Sequence, residues 1–345
     1  METVSVRLPA IFERYRDEVD QALKKALVHE EAGPYDMLRY HMGWVNENGT
    51  HISAPGGKAI RPSLCLLACE AVGGSWRSAL SAATALELVH NFSLIHDDIQ
   101  DGDKERRHRP TVWYLWGEDR ALNAGTTLGI IGNLALLQYD HNASPEKILK
   151  ASHSLSGAIM EMIEGQCLDI TYEERMDITV ADYLTMISKK TGALMECALH
   201  LGALFGTEDI KTVECLRRFG RKLGLVFQIK DDILGTWGKE GHTGKPIAAD
   251  IRRRKKTLPV VYVLNVIEGS DRERLYSLYT RTILSEGDVE EVLIILDNWK
   301  AREYCQKMAE EHCSQAMDEL KSAKLSSSAK RDLTEVMAFL LEREH

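Results

Sequence analysis

Three carboxylates fall within five residues at Asp97, Asp98 and Asp101, in the run His96-Asp97-Asp98-Ile99-Gln100-Asp101. Asp97 and Asp101 are four apart, so a helix would set them on one face. Carboxylates this crowded repel one another unless a cation joins them. Magnesium favours one or two carboxylates together with substrate phosphates. A solvated acidic helix end is the plain alternative, although acidic groups at a helix C-terminus oppose the macrodipole. A second pair, Asp231 and Asp232, follows Gln228 by three and four residues in a strongly apolar stretch from Phe227 to Leu234. On a helix all three share a face, and carboxylates at the edge of a core need a cation or a donor network. Two Asp-bearing helices in one apolar chain suggest a site between facing helices.

Basic residues accompany both acidic motifs. Gly56-Gly57-Lys58-Ala59-Ile60-Arg61-Pro62 is a glycine-bearing loop that runs into a helix start. Lys58 and Arg61 would flank free backbone N–H groups there, which suits a diphosphate. Arg106 and Arg107 follow the first Asp cluster, Lys190-Thr191-Gly192 sits mid-chain, and Lys245 and Arg252–Lys256 follow the second pair. Any one of these alone reads as a solvated surface. Their placement beside the acidic motifs points to an anionic substrate held through metal and cations together.

The elements that must position these residues read as helices. No proline occurs from Glu146 to Lys245, a stretch of 100 residues, and helix interiors exclude proline. Pro62 and Pro259 open apolar runs, as in a first helical turn. Apolar residues recur at spacings of three and four over Thr84–Asp101, Ile148–Ile170, Tyr183–Phe205, Cys215–Leu234 and Val289–Leu320. Ser326 caps a last helix. Breaks are expected at Gly73-Gly74, Asn142–Pro145, Gly206–Asp209 and Gly235–Pro246. The expectation is an all-α single domain over 1–345 with roughly ten or more helices.

The bulk properties bound the function. The 345 residues are 44% apolar with a formal net charge of −9, which argues against nucleic acid as a partner. Seven cysteines and no CxxC pair suit small core residues in a reducing compartment, with no zinc site. No apolar run reaches 18 residues and the acidic N-terminal stretch lacks a signal pattern, so no membrane span and a cytoplasmic location are expected.

Taken in order, these motifs resemble the trans-isoprenyl diphosphate synthase family, also called polyprenyl synthetases. The resemblance runs from about residue 50 to 265. It comprises the Gly56–Pro62 loop, LIHDDIQDGDKERRHRPTVW from Leu94 to Trp113, Gly165–Ile170, Lys190–Leu194, FQIKDDILG from Phe227 to Gly235, and Gly244–Thr257. It implies a helical bundle around a central active-site cavity, the isoprenoid synthase type. It implies metal ligation by Asp97, Asp101 and Asp231 for three Mg²⁺ ions, with Asp98 and Asp232 as supporting carboxylates. Arg106, Lys190 and Lys255, with Lys245 nearby, would hold the allylic diphosphate. Lys58, Arg61, His90 and Arg107 would hold isopentenyl diphosphate. Thr191 and Gln228 would stabilise the reacting centre through their dipoles. Two positions depart from the family pattern: Gly235 stands where a third aspartate is usual, and Ala59 where an arginine is usual.

The reaction so implied is head-to-tail condensation of isopentenyl diphosphate with dimethylallyl, geranyl or farnesyl diphosphate. Metal and cationic side chains stabilise the departing diphosphate, apolar walls keep water from the allylic cation, and the released diphosphate takes the proton. Family resemblance places chain-length control at Phe92 and Ser93, five and four residues before Asp97. One bulky and one small residue resemble the geranylgeranyl (C20) pattern, with farnesyl (C15) the near alternative. Two further readings are a class I terpene cyclase, although no N-D-x-x-S-x-x-x-E motif is found, and a regulatory subunit of a heteromeric synthase. A homodimer is implied by resemblance alone.

Overall fold

The computed structural model describes residues 10–27, 34–52, 57–138, 143–238 and 248–343. In chain order the helices are α1 (Ala10–Glu13), α2 (Arg16–Ala26), α3 (Tyr35–His41), α4 (Ile60–Ala71), α5 (Leu80–Gln100) and α6 (Val112–Trp116). They continue with α7 (Glu118–Leu137), α8 (Pro145–Glu173), α9 (Val180–Ile187), α10 (Ala193–Gly206) and α11 (Ile210–Trp237). The rest are α12 (Ala249–Arg252), α13 (Leu258–Val266), α14 (Gly269–Tyr279), α15 (Glu286–Asn298), α16 (Ala301–Ser322) and α17 (Ser327–Glu342). A hairpin of two-residue strands, β1 (Glu105–Arg106) and β2 (Arg109–Pro110), is the one sheet among the described residues. The all-α expectation holds, and none of the described helices is long and apolar enough to cross a membrane.

Local chemistry sets several boundaries. Pro62 lies in the first turn of α4 and Pro259 in that of α13, where a missing N–H costs no helical bond. Ser144 caps α8 by accepting from the Lys147 N–H at 3.2 Å, with Pro145 at the first helical position. Ser326 caps α17 by accepting from the Ala329 N–H. These side-chain oxygens satisfy amides that have no partner within the helix.

Two sequence expectations need correction. The stretch Tyr183–Phe205 is two helices joined by a π turn over Ser188–Gly192. The stretch Val289–Leu320 breaks at Lys300, whose φ of 56° is left-handed and ends α-helical propagation. No glycine or proline marks that break, so apolar spacing ran across it unseen. The break expected over Gly235–Pro246 begins where α11 ends at Trp237, and residues 239–247 lie outside the described ones.

α5 is the central helix, with Ala82, Ala83, Leu86, Leu88 and Val89 fully buried. It packs mainly against α7, while α11 packs against α10 and α16, and α4 against α10. Cys65, Cys69, Cys197, Cys215 and Cys305 are free and buried in this interior, and Cys167 is exposed.

Candidate active site

The last turn of α5 and the second half of α11 face a cavity of about 430 Å³, whose walls include Arg61, Phe92, Asp97, Lys190, Gln228 and Asp231. Residues more than 100 positions apart in sequence therefore meet here. A larger groove of about 1150 Å³ between α11, α16 and the end of α17 contains neither Asp97 nor Asp231.

Asp97 lies on the cavity wall. Burial pushes its carboxyl above the ordinary value against the pull of Lys190, and Asp101 pushes it further. Asp101 lies one turn on. Although burial raises it, Lys255, with Nζ 2.8 Å from Oδ2, holds it below the ordinary value. Lys190 reaches Asp169 on α8 at 2.5 Å. The π turn that carries Lys190 lies hard against α8 at Gly165, where a Cβ would be 2.2 Å from the Lys190 nitrogen. Only glycine leaves room for that approach. π turns inside helices occur frequently at functional sites, and this one sets Lys190 and Thr191 on the cavity.

Asp231 also lies on the wall. Arg343, just past α17, is 5% exposed and donates to Asp231 Oδ1 and, at 2.7 Å, to the Phe227 carbonyl. Its guanidinium lies 4.3 Å over the Phe227 ring.

Asp98 and Asp232 are not placed with the other carboxylates. Asp98 is 2% exposed and accepts from Arg106 Nε at 2.8 Å and Nη2 at 2.7 Å. Burial raises its carboxyl to about 6, with Arg106 opposing. Arg106 is thus committed to Asp98. Asp232 is likewise 2% exposed. It accepts from Tyr183 Oη at 2.5 Å, Gln228 Nε2 at 3.1 Å and the Leu258 N–H at 3.2 Å. Burial raises it to about 7 against the pull of Tyr183 and Gln228. Thr191 in turn donates to Gln228 Oε1 at 2.7 Å.

The second basic group gathers behind Arg61. Gly57 touches Arg107, since a Cβ there would sit 2.7 Å from Arg107 Nη2, so the loop before α4 and the hairpin after α5 meet. Ala59 caps α4 at a left-handed φ of 46°. Burial lowers Lys58 and Arg61, and Asp231 pulls both back up. Burial likewise lowers Arg107, with Glu87 opposing. His90 is held neutral by burial and by Arg61, Arg107 and Arg106. His41, which the sequence did not single out, is lowered to about 3 by burial and the same two hairpin arginines. Lys245 lies outside the described residues.

On the apolar side, the Phe92 ring meets the His96 ring edge-on at 5.0 Å. It lies against Gly129 of α7, where a Cβ would be 3.3 Å from its Cγ. Ser93 donates to the His90 carbonyl at 2.8 Å. Phe92 and Ser93 share the cavity with Asp97.

Among the described residues no three His, Cys, Asp or Glu side chains form a ready metal cage. Magnesium held by one or two carboxylates plus substrate phosphates needs none, and Asp97, Asp101 and Asp231 supply hard oxygen donors of that kind. Sequence reading missed Asp169, Tyr183, Asp250 and Arg343. Asp169 stood inside the Gly165–Ile170 motif and Asp250 inside Gly244–Thr257. Nothing local marked Tyr183 or Arg343.

The comparisons agree with this geometry. Residues 42–296 match the model of the polyprenyl synthetase family. The chain is 38% identical to a short chain isoprenyl diphosphate synthase of Methanothermobacter thermautotrophicus, covering 97% of this chain and 98% of that one. It is 36% identical to a (2E,6E)-farnesyl diphosphate synthase of Mycobacterium tuberculosis, over 89% of this chain and 86% of that one. A polyprenyl synthetase structure from Streptomyces coelicolor superposes with a TM-score of 0.90 at 34% identity, covering 97% of this chain and 99% of that one. With an acidic, lysine-bearing cavity wall on one side and a buried guanidinium group on the other, the chain belongs to the polyprenyl synthetase family and is a prenyltransferase.

Proposed function

We propose that this enzyme condenses isopentenyl diphosphate with an allylic diphosphate to build a short all-trans prenyl diphosphate, with geranylgeranyl diphosphate favoured over farnesyl diphosphate. The observation that carries this reading is the sharing of one cavity by Asp97, Asp231 and Lys190 with the apolar Phe92 and with Arg61. A cyclase takes a single diphosphate substrate. A second basic group at Lys58, Arg61, His90 and Arg107 suits a second diphosphate.

Asp97, Asp101 and Asp231 would hold the metal, Mg²⁺ as is general in the family, at three ions, which would supply positive charge to the leaving diphosphate. Lys190, Lys255 and Arg106 hold the allylic diphosphate beside it, a role the family resemblance extends to Lys245. The allylic C1–O bond breaks and its electron pair leaves with the diphosphate. The double bond of isopentenyl diphosphate attacks C1, and a proton leaves C2 of the former isopentenyl unit for the released diphosphate. Thr191 and Gln228 face the allylic carbons. Asp98 and Asp232 support Arg106 and Gln228 from behind. Phe92 sits on the bare backbone of α7 at Gly129 and Ser93 leaves the neighbouring space open, which favours the longer product.

Exposed apolar residues on α7 and α8, among them Leu122, Ile130, Leu134, Met160 and Ile163, support a homodimer through that face. Light scattering of the purified chain checks this. The product reading is tested by incubating protein, Mg²⁺, labelled isopentenyl diphosphate and each allylic starter, then separating dephosphorylated products. A C20 alcohol as the main product is expected, and a C15 end product from every starter overturns the length assignment.

A further inference from the structure

Behind the cavity wall a directed chain of hydrogen bonds runs from α9 through α11 to the π turn. The carboxylate of Asp232 receives three donors: Tyr183 Oη and the Leu258 N–H on Oδ2, and Gln228 Nε2 on Oδ1. Gln228 Nε2 donates to Asp232 Oδ1 at 3.1 Å, so the end of the Gln228 amide that meets Asp232 is its NH₂. Gln228 Oε1 is then the end presented to Thr191, whose hydroxyl hydrogen it takes at 2.7 Å. With that hydrogen committed, the Thr191 hydroxyl has only lone pairs left for the cavity. Tyr183 is 3% exposed and Asp232 is 2% exposed, while Thr191 and Gln228 line the cavity.

We infer that Tyr183 and Asp232 are positioning residues that fix the polarity of the Gln228–Thr191 pair, so that this wall offers oxygen lone pairs to a developing allylic cation. The inference rests on the prenyl-transfer reading of the cavity. Were the Gln228 amide reversed, its NH₂ would donate to Thr191 and free the hydroxyl hydrogen to point at positive charge. Dipoles fixed in advance are worth far more than ones that must reorganise during reaction. Asp232 therefore acts by selecting one of two amide orientations. No metal ligand role is needed for it, since its carboxylate already meets three protein donors.

The test compares two ligands in the presence of Mg²⁺, measured by calorimetry on the full chain. One is an allylic diphosphate analogue with a protonated tertiary amine in place of the cationic carbon. The other is a neutral analogue of the same shape. Asp232→Asn lets the new NH₂ donate to Gln228 and reverse it. It should weaken the ammonium ligand by roughly tenfold or more and leave the neutral ligand within about twofold. Tyr183→Phe, which keeps the ring packing, should show the same selectivity at smaller size. In both, kcat should fall with little change in either KM. On a Thr191→Val background most of the Asp232→Asn effect should vanish, as coupled residues are non-additive. Equal weakening of both ligands, or no weakening in a folded Tyr183→Phe protein, overturns the inference. If the parent protein with Mg²⁺ binds neither ligand, the prenyl-transfer reading itself fails, which is a different result.

Discussion

The carboxylate of Asp250 fills the space above the Cα of Gly235: a Cβ at that glycine would lie 1.9 Å from Asp250 Oδ2. The aspartate usual at position 235 in the family would compete with Asp250 for the same volume. Gly235 is thus part of a packed contact between α11 and α12, and it admits a carboxylate from a different element. Burial opposes the charge of Lys255, and Asp250 helps to raise it after Asp101 and Asp169, so the contact reaches the lysine proposed to hold the allylic diphosphate.

Substitution at Gly235 should therefore destabilise. Gly235→Ala is expected to cost about 1–3 kcal/mol, the usual range for overpacking, despite the better helix propensity of alanine. Gly235→Asp should cost more, because it also sets two carboxylates in one space. Thermal melts of the two variants check this. Parent-like melting of Gly235→Asp would mean that Asp250 moves aside freely.

The carboxylates proposed to hold metal should separate from the two buried ones. Asp97→Ala and Asp231→Ala should lower kcat by several orders of magnitude, since a lost metal removes several kcal/mol of transition-state stabilisation. Asp98→Asn should instead act through Arg106, with a modest kcat loss and unchanged Mg²⁺ dependence. Magnesium titrations of initial rate distinguish the two patterns. A shifted Mg²⁺ requirement in Asp98→Asn would return that residue to the ligand set.

Lys58→Ala and Arg61→Ala should raise KM for isopentenyl diphosphate more than for the allylic substrate, because both belong to the second basic group and neither pairs with Asp97 or Asp101. Removing one charge-assisted hydrogen bond costs about 1.5–3 kcal/mol. Steady-state kinetics with one substrate varied at a time provides the check. An equal rise for both substrates would contradict the division of the cavity.

Arg343 should compete with metal at Asp231, since its guanidinium occupies the carboxylate. Arg343→Ala is expected to lower the Mg²⁺ concentration for half-maximal rate. It should also cost some stability, because the side chain packs on Phe227 as well. An unchanged Mg²⁺ midpoint would show that the arginine stays clear of the metal when substrate binds.

Phe92→Ala should lengthen the product by one or more five-carbon units, and Ser93→Phe should shorten it. Phe92 lies five residues before Asp97, about 7.5 Å along the axis at 1.5 Å per residue. Chromatography of dephosphorylated products reads the result. Unchanged products from both folded variants would place the floor elsewhere.

Much of this was legible because helical period and spacing act locally. Asp97 and Asp101 are one turn apart in any helix, and Gln228, Asp231 and Asp232 share a face by arithmetic. Proline and serine chemistry placed the starts of α4, α13 and α17. What escaped depended on tertiary choice. Period alone cannot say which face of a helix meets the cavity, so Asp98 and Asp232 read like their neighbours until their burial against Arg106 and Tyr183 was seen. The π turn at Lys190 needs α8 close by at Gly165, a contact that no sequence window contains. Arg343 lies 112 residues from Asp231, and a single arginine at a helix end carries no pattern.

The most direct measurement of the central claim is the stoichiometry of inorganic diphosphate release by purified protein with Mg²⁺. It is followed with the allylic substrate alone and then with isopentenyl diphosphate added. Chain elongation at this cavity predicts release only when both substrates are present, at one diphosphate per isopentenyl unit consumed, and none after chelation of the metal. Steady release from the allylic substrate alone, or no release from the pair, would contradict it.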